Sequence, residues 1–152
     1  MAALRVSASE RGSSMRFVDP LPSAKGPSER FAGDVWVETI VQGEEPSRLR
    51  AALVRFAPGA HTFWHRHLVG QTIHVVHGVA LVGTRDGAVF EAHPGETVSC
   101  PPGEDHWHGA TPERFMEHLV MWEGGDADVP EMTWLEEVAP EQYSAARTRR
   151  GA

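Results

Sequence analysis

All nine histidines of this chain fall between His61 and His118, and the spacing of a few of them is what could do chemistry. His65-Arg66-His67 is an H-x-H pair. On an extended strand side chains alternate with period two, so both imidazoles would face the same way. Gln71 follows closely, and His106 ends a second glycine- and proline-marked run, Gly95 to His106. Brought together from neighbouring strands, His65, His67, Gln71 and His106 would form a metal pocket. Three imidazole nitrogens and one amide oxygen suit a divalent first-row ion: Mn(II), Fe(II), Co(II), Ni(II) or Zn(II). The amide matters because it is neutral. It leaves the ion more positive than a carboxylate would, which makes a stronger Lewis acid for an alkoxide. That favours non-redox chemistry over oxygen chemistry.

Strands must position these groups. Asp34 to Val41 alternates, Leu49 to Phe56 is strand-compatible, and Thr72–Val76 and Val79–Thr84 flank a turn at Gly78. Asp86-Gly87 is a hairpin signal leading into Ala88–Ala92. Thr97–Cys100 is a brief strand stopped by Pro101-Pro102-Gly103, and Trp107–Ala110 and Phe115–Trp122 are the last strands. Short strands between turns, with no long helical period, predict an all-β sandwich or barrel. Pro140 suits the first turn of a short terminal helix. Segment 1–14 and segment 144–152 lack any periodic pattern, so a disordered extension and a flexible tail are expected around a domain of 15–143, with Met1 and Met15 both candidate starts.

Composition bounds the rest. A chain of 152 residues suits one domain, and a net charge of −7 argues against a nucleic-acid surface. No apolar run is long enough to cross a bilayer, so no membrane is expected. The single cysteine, Cys100, makes a cytoplasmic setting the expectation. With nothing nearby to lower its pKa, it reads as a small core residue.

The two histidine-bearing runs resemble the cupin superfamily. Gly59, His65, His67 and Gly78 match its first motif, with Gln71 where glutamate usually stands; Gly95, Pro101, Gly103 and His106 match its second, with Ala110 in place of asparagine. Trp64 to Thr72, together with Pro101 to Ala110, is similar to the small bacterial cupins that include manganese-dependent hydroxynitrile lyases. Lys25-Gly26-Pro27, Phe31-Ala32-Gly33 and Glu141-Gln142-Tyr143 carry the same likeness. The resemblance implies a single-domain, jelly-roll-like cupin β-barrel of two antiparallel sheets, paired as a homodimer or higher homo-oligomer through edge strands. It also implies Mn(II) in the pocket and a lyase that makes or breaks a C–C bond at a small carbonyl compound. An iron-dependent dioxygenase and a non-catalytic metal or small-molecule binding module are the alternatives.

Strand parity then nominates the acid–base groups. His108 shares a face with His106, and His118 shares one with Met116, Val120 and Trp122, a face that the family pattern turns inward. An imidazole titrating near neutrality could move the proton during bond cleavage. Thr62 is positioned to donate a hydrogen bond to a substrate oxygen. Phe56, Leu81 and Val120 are the expected apolar walls, while Trp64 and Trp107, on the opposite parity, should simply pack. His61, His74, His77 and His93 are read as surface or satisfied core residues. The acid-rich stretch from Glu123 to Glu137 is read as a solvated surface.

Overall fold

In the computed structural model, which describes residues 14–146, thirteen strands and one helix follow in order. They are β1 (Ala24–Lys25), β2 (Phe31–Ala32), β3 (Val35–Gln42), β4 (Leu49–Phe56), β5 (His61–Thr62), β6 (His65–His67) and β7 (Gln71–His77). Then come β8 (Ala80–Thr84), β9 (Val89–Ala92), β10 (Thr97–Cys100), β11 (His106–Ala110), β12 (Met116–Glu123), β13 (Met132–Trp134) and α1 (Pro140–Ala146). One sheet has the order β1-β3-β4-β12-β7-β10. The other runs β13-β6-β11-β5-β2, with β8 paired to β11 and β9 to β8. Every pairing is antiparallel. The expected two-sheet all-β fold in a single domain is therefore what the sequence builds. The segments expected to be mobile, 1–14 and 144–152, fall largely outside the described residues; Ser144 to Ala146 finish α1, and Ala146 is buried.

Two apolar clusters arise because the strands alternate. Residues directly opposite in antiparallel strands share a face. Ile73 opposes Val120, which opposes Ala52, and Phe56 opposes both Val35 and Met116. These side chains meet between the sheets in the main core, with Val54, Val75 and Val82. The second cluster lies on the other face of β8 and β11. There Trp64, Leu81, Val89 and Trp107 pack with Val138 and Ala146. Tyr143 covers that side: its hydroxyl donates to the Ala110 carbonyl at 2.6 Å and its ring stacks on His61 at 4.3 Å.

Two glycines shape the turns at the site. Gly70 and Gly78 take φ of +87° and +74°, a region that L side chains rarely adopt. A Cβ on Gly78 would also collide with the Phe115 carbonyl oxygen, and one on Gly70 would come within 2.8 Å of the Cys100 carbonyl oxygen. Gly70 thus lets the chain turn into β7 immediately before Gln71.

Candidate metal centre

Strands β6 and β11 pair His65 with His106, which puts both rings on the inner face of one sheet with centroids 4.4 Å apart. His108, two residues along β11, lies 5.1 Å from His65. Ligand nitrogens of His65, His106 and His108 all lie within 4.8 Å of one another, a buried group that could hold a metal ion. The ring of His67 is 5.4 Å from that of His65 and 5.9 Å from that of His106. From the facing sheet Gln71 reaches across, its Oε1 2.9 Å from His106 Nε2. All four residues expected from spacing therefore border one pocket. The tightest trio, however, includes His108, which parity had nominated for acid–base work.

Local hydrogen bonds fix the tautomers. A backbone carbonyl can only accept, so His65 Nδ1 donates to Phe63 O and His106 Nδ1 donates to Glu104 O, each at 3.0 Å. The Nε2 atoms of both rings then carry lone pairs. His106 Nε2 and Gln71 Oε1 consequently face each other as two acceptors, an arrangement that a shared cation satisfies. Four buried ring nitrogens have no hydrogen-bond partner among the described residues: both of His67, Nε2 of His108 and Nδ1 of His118. Buried polar atoms are normally paired, so this set fits a bound ion and a polar ligand better than an apolar interior.

Burial also keeps these rings neutral. It holds the His65 and His108 pKa values well below the ordinary imidazole range, aided by neighbouring histidines, and lowers that of His106. Burial and the nearby His106 push His67 down to about 3, and burial takes His118 to about 4. Neutral imidazole is the form that ligates metal. The expected near-neutral titration of His108 and His118 is therefore not found in the metal-free pocket. The two rings form a pair instead, with His118 Nε2 2.8 Å from His108 Nδ1.

Other expected positions sort by face. Thr62 is buried, and its hydroxyl oxygen accepts the His108 backbone N–H at 3.1 Å. Phe56 walls the pocket, 5.1 Å from the His118 ring. Leu81 does not: it shares the Gly109 register of β11 and packs with Trp107, whereas Val82, opposite His108, faces inward. Cys100 is buried, and its thiol is pushed up to about 12 by burial, so it stays protonated.

Two tryptophans border the site: Trp122, placed on the inward face with His118 by parity, and Trp134, which sequence reasoning missed. Trp134 stacks on His65 at 4.6 Å and is directly opposite it in β13. Trp122, opposite Gln71, lies 5.7 Å from His67 and donates its indole N–H to Glu131. The stretch read as solvated therefore carries a strand of the site. The only hint was the strand-prone run Met132-Thr133-Trp134 among acids. Outside the pocket, Arg66 and Arg85 both reach Asp105, at 2.8 and 3.1 Å. They tie the strand that bears His65 and His67 to the approach to His106.

Comparison with known proteins agrees with this geometry. A family model described as the Cupin domain matches residues 52–122. Over 121 residues the chain is 43% identical to a protein named (R)-mandelonitrile lyase from Granulicella tundricola, covering 80% of this chain and 91% of that one. A cupin-like protein from Thermotoga maritima superposes with a TM-score of 0.75 at 30% identity, over 87% of this chain and 97% of that one. The polyketide cyclase RemF from Streptomyces resistomycificus shares the fold, with a TM-score of 0.66 at 20% identity over 87% of this chain and 98% of that one.

Proposed function

The chain belongs to the cupin family, and on that premise we propose that it is a metal-dependent, hydroxynitrile lyase-like enzyme acting on a small carbonyl adduct. The observation that carries this reading is the His106 Nε2 to Gln71 Oε1 contact at 2.9 Å, two facing acceptors beside His65 and His67. The likeness to a mandelonitrile lyase supports it. His65, His67, Gln71 and His106 would hold the ion, with Mn(II) as the proposed metal. When bound, the ion would act as a Lewis acid on the substrate oxygen.

The chain's own residues divide the remaining work. His108 Nε2, buried and without a protein partner, takes the hydroxyl proton of the cyanohydrin. Its Nδ1–H then donates to His118 Nε2, which steadies the imidazolium that forms. The C–C bond breaks as the carbonyl forms, and the proton on His108 passes to the departing cyanide, giving aldehyde and hydrogen cyanide. Thr62 holds the His108 backbone in place through its hydroxyl oxygen and keeps its own hydrogen for the substrate. Phe56, beside both rings, excludes water.

Three further readings accompany this one. Exposed Trp36 and Ile40 lie on β3, near the edge of their sheet, and favour a homodimer through that edge. The one free cysteine accords with a reducing, cytoplasmic setting. The working domain then runs from about residue 15 to the end of α1, whose Ala146 packs in the second cluster. The test is mandelonitrile cleavage by metal-free protein reloaded with Mn(II) or Fe(II). Benzaldehyde release that needs Mn(II) and is lost in His106→Ala is expected. Bound metal without cleavage would overturn the lyase reading and leave the metal centre standing.

A further inference from the structure

The two sheets do not join between β9 and β10: β9 pairs only with β8, and β10 only with β7. Side chains along this seam betray an opening. Phe90 is opposite Val82, which is opposite His108, so Phe90 belongs to the inner face, yet 38% of it is exposed. Val98 and Cys100 of β10 are opposite Ile73 and Gln71 and face inward as well. Between them runs a slot of about 190 Å³ that ends on His106. A second, wider groove of about 360 Å³ borders Gln71, but Thr72 and Met121 from the outer face of the sheet help line it, whereas Ser99 borders both. The seam slot is thus the one whose apolar wall is continuous with the histidine pocket.

We infer that this seam slot, walled by Val82, Phe90, Val98 and Cys100, binds the apolar substituent of the substrate, a single ring or a short branched chain. The volume decides the class. A dry apolar cavity of about 150 Å³ accepts benzene, so about 190 Å³ accommodates one phenyl group. The wall chemistry agrees along Val82, Phe90, Val98 and the protonated Cys100, while the exposed Glu104 borders the same slot. A phenyl group in the slot would leave the adjoining carbon at the His106 end, beside His108. The chemistry at that end rests on the lyase reading; occupation of the slot does not.

Two probes and two variants of the full chain separate these. Benzyl alcohol, which cannot be cleaved, is titrated by NMR with valine, leucine, methionine and phenylalanine resonances followed. Expected are shifts at Val82, Phe90 and Val98, and an affinity about tenfold or more weaker in Val98→Trp, the scale on which hydrophobic pockets discriminate. Phe90→Ala, at a half-exposed position where folding is not at stake, should admit 2-naphthalenemethanol about tenfold more tightly than the parent does. Unchanged affinities in both variants, or shifts centred on Leu49 and Met121 instead, would overturn the slot. Absence of turnover on any cyanohydrin with slot binding intact would count against the lyase reading alone.

Discussion

The two ends of the barrel interior are built from the same strands and obey opposite rules. At one end Val35, Ala60, Ala110 and Met116 are essentially sealed from solvent, and their packing is complete in itself. At the other, His65, His67, His106 and His108 are equally buried, yet this region and its neighbour His118 hold every unpartnered buried side-chain nitrogen among the described residues. Apolar burial stabilises at roughly 25 cal/mol per Å², whereas a buried polar atom without a partner costs about 1–3 kcal/mol. The packed end supports the fold, and the histidine end spends stability to hold neutral ligands. Such an end makes physical sense when something else completes it.

The sharpest way to break that comparison is acid. His67 and His118 have folded pKa values depressed to about 3 and about 4 from 6.5. Below 6.5 the unfolded chain therefore binds more protons than the folded one. Stability is complete above that value and is lost as pH falls toward about 4. Each group contributes about 1.4 kcal/mol per pH unit in the window, and several titrate together. Metal-free protein followed by thermal melting from pH 8 to pH 4.5 should lose stability steeply, and saturating Mn(II) should raise the melting temperature near pH 6 without flattening the slope. A flat profile would mean that the polar end costs nothing. A smaller effect is expected from Met116→Ala at the packed end. It should destabilise by about 2–5 kcal/mol, by denaturant unfolding, at any pH above 7. A loss below about 1 kcal/mol would mean that this end is not the support of the fold.

The histidine end was also the more legible one. Its histidines announce themselves by type and spacing, and strands such as Leu49–Phe56 and Thr97–Cys100 fall where alternation and turn residues put them. Alternation gives no guidance where both faces are buried. In β8 the first four residues are all buried, so Leu81 was set in the pocket when Val82 belongs there. Likewise β13 lies in an acidic stretch with few apolar residues. Only its pairing with β6 shows that Trp134 stacks on His65. Whether His67 or His108 completes the metal trio is not a property of spacing at all. It depends on how far each ring leans across the pocket.

Metal content of the Mn(II)-reloaded His67→Ala and His108→Ala proteins, measured side by side with the parent after exhaustive dialysis, tests the central claim most directly. The account predicts that His67→Ala loses most of its metal. His108→Ala should keep it and lose cleavage by about 10²–10⁴-fold, the usual contribution of a general acid–base group. Metal retained in His67→Ala and lost in His108→Ala would contradict it, making His65, His106 and His108 the metal site and removing His108 from proton transfer.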